Sequence, residues 1–357
     1  MKREVAANKN SFAIPIEGLS IARSFRVGCV EILPSAKELP FLEEVDWNED
    51  FGARIKRDDD QHRAIAVVHS TSIDGALGIL EEAINVLRVF QFGMTNFRHY
   101  THFGLPGEIR PSKIFFFEYG EKAKGPKFKS LGLHLGFNFR EEAINRWENM
   151  STGLQLAADA IDNPSATEGS RKALLGVLLF SQSILTRDPD LRVLLVIAAL
   201  EGMLAPEKIG SYKYTMARQL TYLACWTSGG CRNIQGKPCA VLMLDPSKPK
   251  IPELLGKLKY LADSDTKWRC SYWTDLIDWY DIRSGIAHGR PEGIEQREAE
   301  DLSFRSYRDY LAPLLKWFAE HPKNPLSDLE AEISDLRAEG IDWGEAVKLK
   351  IMPPSEA

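Results

Sequence analysis

Long apolar runs are missing from this chain. No stretch of about 18 apolar residues occurs anywhere in its 357, so no membrane-spanning helix is expected. The start, Met1-Lys2-Arg3-Glu4-Val5, leads into polar residues rather than an apolar signal core. Cysteine is scarce and odd in number: five, at Cys29, Cys225, Cys231, Cys239 and Cys270. That argues against the paired framework of a small secreted protein, and a cytoplasmic location is expected. A close Cys-x-x-Cys pair is also missing, and His99 and His102 have no nearby carboxylate pattern, so no metal site is expected. The chain lacks the Gly-rich phosphate loop, a Gly-x-Gly-x-x-Gly that opens a helix, His-Glu-x-x-His and Gly-x-Ser-x-Gly. No cofactor is therefore expected. Nor is there a repeat of the length that builds solenoids.

What is present is the composition of a globular protein, 44% hydrophobic and 27% charged, at a length that suits two domains. The net charge of −5 argues against a general nucleic-acid coat protein. That average hides an asymmetry. From Glu207 to Arg269 there are 11 Lys and Arg against 5 Asp and Glu, whereas from Pro291 onward there are 8 against 15. A basic stretch of this kind is a candidate electrostatic footprint for RNA, although charges that are adjacent in sequence can disperse over a folded surface.

The first 140 residues read as mixed β with one helix. Leu131, Leu133, Leu135, Phe137 and Phe139 alternate with polar or small residues, the period of a half-buried strand. Residues 19–33, 63–71 and 113–119 also read as strands, and Asp74–Phe90 as a helix. Beyond Arg140 helical spacing dominates. Helices are expected near 170–186, 191–204, 212–226, 252–262, 272–283 and 294–320, with Asp188 and Pro189 as a clear helix start. Asp162-Asn163-Pro164-Ser165 is the natural breaker between domains. The expected fold is α+β. It comprises a β-rich domain over 1–145, a helix and linker over 146–169, a helical bundle over 170–325, and exposed acidic tail helices over 326–357.

Chemistry concentrates in Trp279-Tyr280-Asp281-Ile282-Arg283-Ser284-Gly285-Ile286-Ala287-His288-Gly289. Arginine offers a planar fork that fits a phosphate, and histidine moves protons near neutral pH. Five residues along a helix turn roughly 500°, which would leave Arg283 and His288 about 140° apart. Gly285, Gly289 and Pro291 suggest that the helix frays within the motif, so that His288 curls back beside Arg283. The plain alternative is an arginine that caps carbonyls and a histidine at a helix end. Upstream, Val193–Leu204 is apolar all round except for Glu201, a carboxylate that must find a cation. Arg283 and Arg218 are both candidates.

Three segments in order, Ala199–Leu204, Tyr214–Arg218 and Tyr280–Gly289, resemble the signatures of the Apea-like group of the HEPN superfamily. The likeness covers roughly residues 170–320, and it implies a helical bundle, a homodimer and metal-independent cleavage of RNA. In that reading Arg283 and His288 are catalytic with Ser284 positioning them, while Glu201, Tyr280 and Asp281 support the site. Arg290, Arg218, Lys267 and Trp268 would contact RNA, Trp268 by base stacking. Some family members carry a tyrosine two residues after the histidine, a site of modification; Arg290 stands there in this chain. The resemblance also implies a toxin or antiphage role, with the N-terminal domain binding an unknown trigger. The competing expectation is a non-catalytic module of the same family that binds RNA, a nucleotide or a protein.

Overall fold

The computed structural model describes residues 10–17, 19–35, 38, 64–94, 110–111, 117–119, 137–150, 152–204, 212–227, 264–289 and 293–338. They form two compact units, Met1–Ser181 and Gln182–Ala357, with α+β character overall: a small sheet in the first and helices in the second. Among the described residues no helix is long and apolar enough to cross a membrane.

In the first unit, β1 (Asn10–Glu17), β2 (Leu19–Ile21), β3 (Phe25–Val27), β4 (Val30–Leu33) and β5 (Ile65–Ser70) precede helix α1 (Ile73–Met94). Short strands β6 (Arg110–Pro111), β7 (Phe117–Tyr119) and β8 (Phe137–Phe139) follow. The main sheet runs β3-β4-β5-β1-β6, β7 also pairs with β1, and every pairing within it is antiparallel. Strands β2 and β8 form a separate parallel pair. Strand β1 is absent from the sequence expectation because Phe12, Ala13, Ile14 and Ile16 are buried without alternation and Pro15 interrupts them. A central strand buried on both faces loses the period-two signal. The 131–139 strand is described only over Phe137–Phe139.

Helix α1 lays Leu80, Ala83, Ile84, Leu87 and Phe90 into the core. Among the described residues three helices follow: α2 (Glu141–Met150), α3 (Thr152–Ala158) and the larger part of α4 (Glu168–Leu185). Phe180 meets Phe92 edge to face, and Ser181 donates to Asn85 Oδ1 at 2.8 Å. The Asp162–Ser165 breaker therefore lies inside the first unit as a turn, with Asp162 at φ 49°.

The second unit contains α5 (Pro189–Leu204), α6 (Tyr212–Thr227), α7 (Ser264–Ala287) and α8 (Gln296–Ser306). A π-helical turn at Tyr307–Leu311 leads into α9 (Ala312–Glu320), and α10 (Pro325–Ala338) closes the described part. Asp188 caps α5 as expected, its Oδ1 accepting the Leu191 N–H at 3.0 Å. The expected helix at 252–262 lies outside the described residues. One expectation needs correction. Residues 326–338 are not an exposed acidic tail, because Leu329, Ile333 and Leu336 are buried. Glu330 of the same helix takes hydrogen bonds from Arg218 at 2.9 Å and Gln219 at 2.7 Å. The acidic residues mark the helix surface and hide an apolar stripe at helical spacing.

Candidate functional site

Helix α7 packs against both α5 and α6, and these contacts set the direction of its motif side chains. Trp273 and Leu276 are fully buried. One turn on, Trp279, Ile282 and Ile286 pack against a cluster built on Val193, Ala299 and Leu302. That apolar stripe carries the helix through Gly285 to Ala287, so it ends within the motif, before His288, but does not break at Gly285. An interior glycine costs about 1 kcal/mol of helix propensity, and packing of the isoleucines on either side outweighs it. The cap lies just beyond, at Gly289 with φ 76°, where a left-handed residue suits a C-terminal cap. The His288 N–H reaches the carbonyls of Ser284 and Gly285 at 3.1 Å, and Gly289 N–H reaches that of Ile286 at 2.9 Å.

Arg283 lies on the face opposed to α5. Its Nη2 sits 2.8 Å from Glu201 Oε2, with the glutamate side chain 15% exposed and the arginine 30%. The Tyr280 hydroxyl donates to the same carboxylate, and the Arg283 guanidinium lies over the Tyr280 ring at 5.8 Å from its centre. Burial raises the Glu201 carboxyl above the usual glutamate range, opposed by the Arg283 charge and by hydrogen bonds from Tyr280 and Arg283. The Tyr280 phenol is raised too, first by burial and then by the Glu201 charge, with Arg283 and Lys213 pulling the other way. The cation that Glu201 requires is thus Arg283 and not Arg218.

Arg218 is not available as an RNA contact: it is buried and committed to Glu330. Lys213, one residue before the Tyr214–Arg218 segment, was not among the expected site residues. Its Nζ donates to both oxygens of Asp281, at 2.8 and 2.9 Å, and lies over the Tyr214 ring. Its place in the first turn of α6, beside a tyrosine, was the available signal.

His288 is exposed, and no hydrogen bond or ion pair joins its imidazole to Arg283 or to any other described residue. The Ser284 hydroxyl likewise makes no hydrogen bond among the described residues. The Arg283 Nε is buried and also lacks an acceptor there. Arg290 and the side chains of Lys267 and Trp268 lie outside the described residues. The result is a half-buried Glu201–Tyr280–Arg283 anchor, a flanking Lys213–Asp281 pair and, at the end of the same helix, an imidazole with no partner among the described residues. Chemically, such a set can hold an anion at the guanidinium and exchange a proton at the histidine. Among the described residues no cluster of His, Cys, Asp and Glu could hold a metal ion. Comparison of the chain with protein-family models, with curated proteins and with solved structures finds no match.

Proposed function

We propose that the protein is an endoribonuclease of HEPN type that cleaves RNA without a metal ion. One observation carries the reading. Arg283 is oriented by Glu201 and Tyr280, while His288 stands exposed just past the end of the same helix. Glu201 and Tyr280 fix the guanidinium before substrate arrives, which lowers the entropy lost on binding a phosphate. In the proposed reaction His288 removes the proton of a ribose 2′-OH, and that oxygen attacks the adjacent phosphorus. The bond to the 5′-oxygen breaks, the leaving oxygen takes up a proton, and a 2′,3′-cyclic phosphate remains. Arg283 offsets the charge that builds on the phosphoryl oxygens, and Ser284 positions one of the reacting groups. The leaving group needs an acid, which a second His288 across a homodimer cleft supplies.

The second reading, a non-catalytic module that binds RNA, a nucleotide or a protein, is favoured by the two ion pairs. Arg283 and Lys213 are each matched by a carboxylate, so their local field is close to balanced. The test incubates wild type and His288→Ala with mixed cellular RNA in EDTA. Cleavage by wild type alone, leaving cyclic phosphate ends, is expected. Equal cleavage in both, or a requirement for added magnesium, rejects the site. RNA bound without cleavage selects the module.

A further inference from the structure

The first unit contains a cleft of about 540 Å³ between the β3–β4 hairpin and helices α2 and α3, within the ~300–1,000 Å³ range of small-molecule sites. Its floor is apolar, formed by Phe25, Trp147 and Ala158, all buried. Its walls are tied to each other. The Trp147 Nε1 donates to the Arg26 carbonyl at 2.9 Å, and Gln155 Nε2 donates to the carbonyls of Trp147 and Glu148. Arg23 grips both oxygens of Glu148 at 2.9 and 2.7 Å and reaches Asn145 at 2.9 Å. Gly28 has φ 58°, and a Cβ there would stand 2.1 Å from the Ala158 carbonyl oxygen, so the hairpin tip lies directly on α3.

After these ties are counted, the Arg26, Glu31, Asp159 and Ser24 side chains make no hydrogen bond among the described residues. The Arg26 side chain is 75% exposed, and its one ionic contact among the described residues is Glu31 at 3.9 Å, too long for a hydrogen bond. The Asp159 carboxylate has no cation or donor among the described residues, and neither has the Ser24 hydroxyl. Burial alone raises the Asp159 carboxyl, with no neighbouring cation to offset it. An exposed guanidinium, held among the described residues by one long ion pair to Glu31, thus shares the cleft with the Asp159 carboxylate, which has no cation there.

We infer that this cleft binds a small zwitterion, its carboxylate or phosphate on Arg26 and its ammonium between Asp159 and Glu31. Arg26 supplies a planar fork for the anion and the carboxylates accept the ammonium protons, so neither half alone satisfies the site. The occupant is short, because the charged groups line one cleft rather than an extended groove. This inference is independent of the ribonuclease reading.

Calorimetric titration of the full chain tests it, with glycine, 4-aminobutyrate, 6-aminohexanoate and phosphoethanolamine as probes and butylamine and butyrate as singly charged controls. At least one zwitterion is expected to bind at millimolar concentration while both controls do not. The carboxylate and phosphate probes show which anion Arg26 prefers. Arg26→Gln and Asp159→Asn should each weaken binding by about tenfold or more, and both variants should melt like wild type because neither side chain holds the fold. Binding should also fade as Asp159 is protonated. No heat from any zwitterion, equal heat from the controls, or binding that survives both substitutions would overturn the proposal.

Discussion

Glu201 shows how one charged residue in an apolar helix can locate a site. Its carboxylate is half-buried and answered by Arg283 and Tyr280, so removing it strands a guanidinium whose Nε already lacks an acceptor among the described residues. Glu201→Ala should destabilise the fold by about 2–4 kcal/mol, below the fully buried case because Arg283 keeps some water. Denaturant titration checks this, and a change near zero would mean that solvent reaches the pair freely. The pH dependence has a definite sign. Because burial raises the folded carboxyl above its unfolded value, the folded state holds the proton more tightly. This contribution is fully present below the ordinary glutamate value, about 4.3, and is lost as pH rises through the higher folded value. The difference in stability between wild type and Glu201→Gln, followed across that window, should show a decline with pH that the variant lacks. The need for a partner at Glu201 was legible in the sequence, since a lone carboxylate in an apolar helix must be compensated. Which arginine it takes was not, because Arg218 and Arg283 are equally plausible until α10 supplies Glu330 to one of them.

Among the elements, starts and stops were easier to read than partners. Asp188-Pro189 and Gly289 mark helix ends by local chemistry, and the structure uses them in that way. Gly285 was misjudged as a break because its cost is local while the compensating burial of Ile282 and Ile286 comes from distant elements. Strand β1 was missed because a doubly buried strand has no alternation; helix α10 was expected in its place, but its acidic residues concealed the buried stripe Leu329, Ile333 and Leu336. The hairpin tip offers a sharp test at this scale. Gly28→Ala places a methyl against the Ala158 carbonyl and forces a left-handed backbone on alanine. We expect a loss of about 1–3 kcal/mol in the thermal or denaturant midpoint. An unchanged midpoint would show that the hairpin does not press on α3. Helix α10 gives a second test. Glu330→Ala leaves Arg218 buried without its partner, and a loss of about 3–5 kcal/mol is expected. Glu332→Ala, a longer contact at 3.4 Å to the Tyr222 hydroxyl, should cost far less.

For the molecule as a whole, the proposed chemistry places a demand on assembly. Each chain carries one Arg283 and one His288, and cyclising cleavage requires both a base for the 2′-OH and an acid for the leaving oxygen. A two-fold axis near residues 270–295 would set two imidazoles across one cleft, since a two-fold interface brings the same patch together from both chains. Trp279, Ile282, Ile286 and Ile294, on this part of α7 and just after it, pack against the Val193–Ala299–Leu302 cluster and are only partly buried by it, which leaves some apolar surface for such a contact. The first expectation is a dimer in sedimentation at micromolar concentration. The second concerns how activity falls when wild type is co-refolded with His288→Ala. If both imidazoles serve one reaction, mixed dimers are inactive, and an equal mixture retains about one quarter of the wild-type rate. If each chain acts alone, about one half remains, and the rate declines linearly with the wild-type fraction. A linear decline, or a fully active monomer, would separate the histidine's role from assembly and return the acid's task to solvent. A quadratic decline with Arg283 left intact in every chain would assign the second proton transfer to the partner's histidine.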